Sequence, residues 1–390
     1  MLTHCWKIDM YDFPLLLQST PSLVISLLGL LTTGRILENS IEDKTLDKYP
    51  LLLQSNCILN FKGNIELIYA LYISSLRQSP FFHFPKYVRY AFDNANVVIL
   101  QSIVIGISVG FIGVSKSVLT GGIQLQVLST IIAASVVTCL ITTIMFIVSL
   151  FVTIEIAKQL KIDPDNVILP AISSLSDYFG IYFLIFFTKY FRNTPVDLSM
   201  LIVIFLMFVV PICMIFSFMS KVRMPIQSIE ILIFTYVIST TGGYILDSLS
   251  TKFKFIASSF PAYSGLAVSI SFIHLHKIFT ATSNNTYHDT GKSYRTLTLS
   301  SFIMIIFYLA LSTFLEGKKP LYYYLLFVSL FVIQVMLLLK LVERIVEYFG
   351  QYDGDIGVVS LPIITAFGDI ISTTSLLLIA FIIKINRLYQ

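Results

Sequence analysis

The chain has 390 residues, of which 56% are hydrophobic and only 12% are charged, and its mean hydropathy is +0.84. A soluble domain with this composition would expose a large apolar surface to water, so the composition predicts an integral membrane protein in a lipid bilayer. The formal net charge of +4 is small and is spread over short loops, which excludes the basic footprint of a nucleic-acid-binding protein.

Eleven apolar stretches along the chain are long enough to cross a bilayer. They lie at about 13–35, 51–76, 95–115, 122–157, 166–190, 198–220, 227–248, 255–279, 297–315, 320–347 and 357–385. We expect residues 77–94 to form an interfacial loop and residues 281–296 a polar loop. Basic charge in both favours the cytoplasm and an N-terminus on that side. The sequence therefore predicts an all-α polytopic membrane protein with about 11 transmembrane helices.

The second and eighth stretches differ from the others because polar residues interrupt them. The second contains Asn60, Lys62, Gly63, Asn64 and Glu66, and the eighth contains Ser264, Ser269, Ser271, His274 and His276. Polar side chains at membrane depth need a protein or water partner. We expect the second helix to line a cavity rather than to face lipid.

Two further stretches share a skeleton of acidic residues and a proline, seven residues apart. The first runs from Asp163 through Pro170 to Asp177, and the second runs from Asp355 through Pro362 to Asp369. A proline inside a helix frees the carbonyl group four residues before it. A carboxylate inside an apolar helix is costly and rare, so two at matched spacing indicate a paired site.

The order of the stretches also repeats along the chain. Stretches one to five and seven to eleven each run as a plain span, a polar-interrupted span, two plain spans and an acid-proline span. The inner aspartates are 192 residues apart (369 − 177). Five spans would invert a second copy, and the plain sixth span restores its orientation. We predict two parallel five-helix repeats, residues 1–192 and 225–390, joined by a connector helix in 193–224 and related by a pseudo-two-fold along the membrane normal.

The inner aspartates are candidates for a cation site at this axis. Ser173 and Thr365 stand one turn before Asp177 and Asp369 on nearby helix faces. Hard cations such as Mg²⁺ prefer oxygen ligands, and Mg²⁺ keeps much of its water shell. The structural alternative is that each aspartate pairs with a lysine or caps a helix end, which we expect for the outer aspartate of each skeleton.

The motifs also resemble those of a known family. Asn56 to Ser75, which contains Lys-Gly-Asn-Ile-Glu at 62–66, resembles the Lys-Gly-Asn-Leu-Glu segment of the MgtE-like solute carrier family 41, the magnesium transporters of animals and other eukaryotes. Asp163-Pro164-Asp165-Asn166, followed by Pro170 and Asp177, is similar to its Asp-Pro-Asp-Asn…Pro…Gly-Asp signature, and Phe367-Gly368-Asp369 resembles the second copy. Where that family has Gly-Asn in the second polar span, this chain has Val268-Ser269, 205 residues after the first copy (269 − 64).

The resemblance implies two MgtE-type halves around a central pore, which the second and fifth spans of each half would line. It implies a transporter and not an enzyme, with no cofactor, with Mg²⁺ and other divalent cations as cargo, and with Na⁺ as a candidate coupling ion. The plasma membrane would be its location, and one chain would suffice. Asp177 and Asp369 would coordinate the ion or its water shell. The path would be lined by Asn64, Ser269, Ser173 and Thr365, with Glu66 and Lys62 as gate or coupling groups.

Three questions stay open at this point. The chain could be a channel or a Na⁺-coupled exchanger. The same aspartates could serve a transporter of another divalent metal or of a proton-coupled solute, in which they relay protons. Finally, the altered second repeat leaves room for a non-conducting membrane partner of another transporter.

Overall fold

The computed structural model describes residues 11–78, 84–121, 124–159, 164–219, 229–250, 253, 255–283, 289–349 and 356–388. Within these ranges it contains eleven α-helices and no strand, which confirms the all-α prediction. The helices are α1 (Phe13–Glu42), α2 (Leu51–Gln78), α3 (Phe84–Leu119), α4 (Leu125–Gln159), α5 (Pro164–Arg192), α6 (Val196–Met219), α7 (Ile229–Ser250), α8 (Phe255–Ser283), α9 (Thr290–Glu316), α10 (Leu321–Phe349) and α11 (Ile356–Leu388). Asp163 and Asp355 lie outside the described residues.

Nine helices in the described part of the chain are long and apolar enough to span a membrane, which supports a multi-pass membrane protein. The other two are α2 and α7. In α2, three asparagines, Lys62 and Glu66 lower the hydropathy of the helix. This is the helix for which the sequence predicts a cavity-lining position.

Two predicted loops prove largely helical. Residues 77–94 were expected to be an interfacial loop, but α2 continues to Gln78 and α3 begins at Phe84. Residues 281–296 were expected to be a polar loop, but α9 begins at Thr290, where the Asp289 side chain accepts a hydrogen bond from the Lys292 backbone N–H at 3.1 Å. Apolar runs mark only the part of a helix inside the hydrocarbon, and these helices extend beyond it.

The packing places α8 at the centre of the bundle and α6 at its edge. In their most apolar windows, 94% of α8 residues are buried, compared with 22% of α6 residues. α8 packs against α1, α5, α10 and α11, whereas α6 packs only against α3 and α4 among its main described neighbours. The outward side chains of α6, such as Phe205 and Phe208, are exposed as expected for a lipid-facing helix.

The helix contacts within α1–α5 recur within α7–α11. In each set, the first helix packs against the second and fifth, the second against the third, fourth and fifth, and the fourth against the third and fifth. Between the sets, α1 packs against α8 as α7 packs against α2, and α2 packs against α11 as α8 packs against α5. This is the pattern of contacts that two five-helix repeats would give.

Two glycines mark the close approaches between the sets. A Cβ atom on Gly34 of α1 would collide with the backbone of Ser258 in α8, and one on Gly243 of α7 would lie 2.8 Å from a side-chain carbon of Leu53 in α2. Leu53 and Ser258 are 205 residues apart (258 − 53), the same offset as Asn64 and Ser269. The two approaches therefore occur at matching places.

Candidate functional site

A cavity with about 60 Å³ of space open to water lies among α1, α2, α5, α8 and α11. Its wall contains six of the seven residues predicted for the cation site: Asp177, Asp369, Asn64, Ser269, Ser173 and Thr365. The structure thus brings together in one cavity side chains from the second and fifth helices of both sets. Carboxylate, amide and hydroxyl oxygens are the groups that hard cations and their bound waters prefer.

The walls formed by α2 and α8 match in position but differ in chemistry. α2 contributes residues 56, 59, 60, 63, 64 and 67, and α8 contributes residue 260 together with 261, 264, 265, 268, 269 and 272. Each of these α2 positions has an α8 counterpart 205 residues later, and spacings of three and four place each set on one helix face. At this offset of 205 positions, the α2 asparagines correspond to residues without an amide in α8: Asn56 to Pro261, Asn60 to Gly265 and Asn64 to Ser269. One wall is therefore rich in amides and the other is not.

Two donors hold the Asp369 carboxylate. Ser264 Oγ of α8 donates to Asp369 Oδ1 at 2.7 Å, and Asn60 Nδ2 of α2 donates to Asp369 Oδ2. The Asp369 residue is only 5% exposed, so these charge-assisted hydrogen bonds compensate part of the cost of burying the carboxylate. Asp369 is oriented by one residue from each set of helices.

Asp177 lines the same cavity without such support. Among the described residues, no group donates a hydrogen bond to its carboxylate, although Asp177 is partly buried. The sequence explains this difference. At the offset of 205 positions, Asn60 corresponds to Gly265 and Ser264 corresponds to Leu59, and neither glycine nor leucine has a side-chain donor. The Asp177 carboxylate is therefore free to meet a cation or its water.

Neutral oxygens complete the wall. Thr365 Oγ1 lies 3.0 Å from Asn64 Oδ1 and 2.9 Å from the carbonyl oxygen of Pro362, the two acceptors of its hydroxyl group. In α1, Ser26 Oγ is buried in the cavity wall and has no hydrogen-bond partner in the described part of the chain. Such an unpaired hydroxyl can bind a water or the hydration shell of an ion.

Glu66, the seventh predicted site residue, is not among the described residues that line the cavity. Its Oε1 lies 2.7 Å from Lys62 Nζ, and its Oε2 accepts a hydrogen bond from Ser176 Oγ at 2.7 Å. Thr143 Oγ1 of α4 donates to Glu66 Oε1 at 3.2 Å, and Lys62 Nζ donates to Ser176 Oγ at 2.7 Å. This buried network joins α2 to α4 and to α5, one residue from Asp177.

The cavity wall also contains polar residues that were not predicted as site residues from the sequence, and three of them have a place in this site. Asn60 and Ser264 were recognised only as polar interruptions, and Ser26 lies in a stretch that was expected to be plain. The spacing of Asn56, Asn60 and Asn64, four residues each, is a signal that could have placed Asn60 on the same face as Asn64. No local signal marks Ser26, because its role depends on the packing of α1.

Part of the chain is similar to known divalent cation transporters. The family model MgtE, described as a divalent cation transporter, matches residues 55–188, which include α2 and the inner aspartate of α5. Residues 55–188 are therefore similar to an MgtE-type domain. Solute carrier family 41 member 3 of Rattus norvegicus is 22% identical over 403 aligned positions that cover 93% of this chain and 85% of that protein. The resemblance to the MgtE-like solute carrier family 41 is thereby confirmed, and no solved structure matches the chain.

Proposed function

We propose that this MgtE-like protein transports divalent cations, Mg²⁺ above all, through the cavity between two pseudo-symmetric halves. The halves are residues 1–192 and 225–390, and residues 193–224 connect them. The observation that carries the proposal is the cavity in the core of a multi-pass membrane protein, with one carboxylate from the fifth helix of each half. The repeated helix contacts support the two halves, and the MgtE-type domain and the solute carrier relative support the cargo.

The chemistry of the wall suits a largely hydrated Mg²⁺ ion. Mg²⁺ requires near-octahedral oxygen coordination and loses water reluctantly, so it usually keeps several waters and takes one or two carboxylates. Asp177 would meet the ion or its first water, and Asp369, already held by two donors, would accept hydrogen bonds from the water shell. Asn64, Ser269, Ser173 and Thr365 would offer neutral oxygens along the path.

Glu66 enters the proposal as a coupling group and not as a direct contact of the ion. Its hydrogen bond from Ser176 connects the Lys62–Glu66 pair to the residue next to Asp177. A change in this pair would therefore move the segment of α5 that carries the carboxylate. Buried ion pairs of this kind specify an arrangement of helices more than they add stability.

Transport would require only one chain, since both halves of the cavity wall lie within it. The plasma membrane is the proposed location, on the resemblance alone. A sodium gradient separates the two possible mechanisms: a Na⁺-coupled exchanger moves Mg²⁺ against its own gradient when Na⁺ is supplied on the opposite side, and a channel does not.

The proposal is tested by Mg²⁺ flux into proteoliposomes. The variants are Asp177→Asn, Asp369→Asn and the double variant, and the control is Asp197→Asn, an exposed aspartate at the start of α6. We expect flux in the intact chain and the control, and a loss of about tenfold or more in each single variant because a paired intramembrane carboxylate is removed. The proposal fails if the intact chain carries no Mg²⁺ or if the double variant retains full flux.

Competition by other solutes identifies the cargo class in the same vesicles. A site for a hydrated divalent ion should be blocked by Co²⁺ or Ni²⁺, which share its charge and oxygen ligands. A proton relay through the same aspartates should instead respond mainly to pH.

A further inference from the structure

We infer that the ion passes the carboxylates along one seam, between α2 and α11, and that Thr373 is a positioning residue for its water shell beyond Asp369. This inference rests on the proposed function and adds the route and a residue outside the cavity wall described above. It follows from the order of polar side chains along two facing helices.

The α2–α11 seam carries polar side chains from both helices at three successive levels. Thr365 Oγ1 of α11 lies 3.0 Å from Asn64 Oδ1 of α2, and one turn further Asn60 donates to Asp369. One more turn along lie Asn56, whose Nδ2 donates to the Ser239 carbonyl oxygen at 3.0 Å, and Thr373. A Cβ atom on Gly242 of α7 would lie 4.0 Å from Asn56 Nδ2 and 4.0 Å from Thr373 Oγ1. All six residues follow a spacing of four, which keeps each helix's members on one face.

The hydroxyl group of Thr373 is available. Thr373 is 4% exposed, and its Oγ1 has no hydrogen-bond partner in the described part of the chain. Its neighbour Thr374 shows the usual alternative, because its hydroxyl donates to the Ile370 carbonyl at 2.7 Å. A buried hydroxyl without a partner is costly, and such groups call for a specific explanation. Here the explanation is a water or hydrated ion that passes the seam.

The opposite seam, between α5 and α8, lacks polar side chains at the third level. The counterpart of Thr373 is Ile181 (373 − 192), and the counterpart of Asn56 is Pro261 (56 + 205). Ile181 is fully buried. Beyond the level of the two aspartates, the polar surface therefore continues on one side only. The waters around a cation need oxygen acceptors along the way, so the ion follows α2–α11 toward the end of the bundle where loop 43–50 lies.

A cysteine substitution experiment tests the route. In a parent chain with Cys5, Cys57, Cys139 and Cys213 replaced and Mg²⁺ flux retained, Thr373→Cys is compared with Ile181→Cys, its buried counterpart. We expect a small charged thiol reagent to modify position 373 at least about tenfold faster than position 181. Saturating Mg²⁺ should slow the modification, and modification should block flux. Equal rates at the two positions, or no reaction at 373 in a transporting chain, would overturn the inference.

Isosteric variants of the native chain provide a second test that does not depend on the cysteine-free parent. Thr373→Val removes the hydroxyl group and keeps the shape, and Thr373→Ser keeps the hydroxyl group. We expect Thr373→Val to lower Mg²⁺ flux by about tenfold and Thr373→Ser to retain most of the flux. Ile181→Val should leave the flux unchanged. Loss with Val and rescue with Ser is not expected of a packing role. If the intact chain and the Thr373→Val variant transport Mg²⁺ equally well, the inferred route along the α2–α11 seam is wrong, while the proposed function stands. If the intact chain carries no Mg²⁺, the proposed function itself has failed.

Discussion

The two inner aspartates share the same acid-proline spacing in the sequence but have different surroundings. Asp369 has a donor on each carboxylate oxygen, whereas Asp177 has none among the described residues. A carboxylate with fixed donors is stabilised when the site is empty, and a carboxylate without them is stabilised only when a cation is bound. The two residues should therefore contribute differently to the stability of the ion-free protein.

This difference gives a prediction for thermal unfolding in divalent-free detergent solution. Asp177→Asn should raise the midpoint, since it removes a poorly solvated charge, a gain of about 1–3 kcal/mol. Asp369→Asn should not raise it, because the change weakens two charge-assisted hydrogen bonds. Addition of Mg²⁺ should raise the midpoint of the intact chain and not that of Asp177→Asn. A lower midpoint for Asp177→Asn than for Asp369→Asn in ion-free solution would contradict the assignment.

At the residue scale, the sequence predicts the carboxylates well and their partners poorly. The repeated acid-proline spacing identifies Asp177 and Asp369 because a charge in an apolar helix stands out locally. The bond from Asn60 to Asp369 joins residues 309 positions apart, and no local pattern reports such a contact. For Glu66, in contrast, the partner could be predicted from the sequence, because Lys62 and Glu66 form an i,i+4 pair. Their salt bridge accounts for the position of Glu66 away from the cavity.

At the scale of helices, the close approaches at Gly34 and Gly243 hold the two sets together. Gly34 faces the Ser258 backbone, which cannot move aside as a flexible side chain could, and Gly243 faces the side chain of Leu53. Small residues let helices approach closely in membranes, where packing rather than the hydrophobic effect drives their association.

Alanine at these glycines should therefore destabilise the bundle. We expect Gly34→Ala to cost about 1–3 kcal/mol through overpacking, and Gly243→Ala to cost less because the Leu53 side chain can rearrange. The control is Gly180→Ala in α5, where the nearest atom to an added Cβ is 3.8 Å away. This control should be neutral or stabilising by about 0.5–1 kcal/mol through helix propensity. Thermal unfolding of the three purified variants checks the order, and equal effects at Gly34 and Gly180 would argue against the close approach.

Helix existence was predictable, whereas helix ends were not. All eleven apolar stretches correspond to helices, because about 20 apolar residues in a bilayer must satisfy their backbone groups internally. The starts of α3 at Phe84 and α9 at Thr290 lie within segments that look polar or interfacial. The start of α9 depends on a local hydrogen bond, from the Lys292 N–H to the Asp289 side chain, which hydropathy does not report.

At the scale of the whole molecule, both carboxylates of the proposed site lie in a single chain. Co-reconstitution of the Asp177→Asn and Asp369→Asn chains tests this. A site formed between two chains would regain an intact pair in mixed assemblies, whereas a site within one chain would not. We expect no recovery of Mg²⁺ flux in the mixture. Recovery to about a quarter or more of the flux of the intact chain would indicate a site shared between chains.

The most direct measurement is the position of a bound divalent ion. Mn²⁺ is a suitable probe, because it shares the oxygen preference of Mg²⁺ and scatters X-rays anomalously. In crystals of the intact chain grown with Mn²⁺, we expect an anomalous peak in the cavity between the Asp177 and Asp369 carboxylates. We expect no such peak in the double Asn variant. An empty cavity at saturating Mn²⁺, or a peak that persists in the double variant, would contradict the central claim.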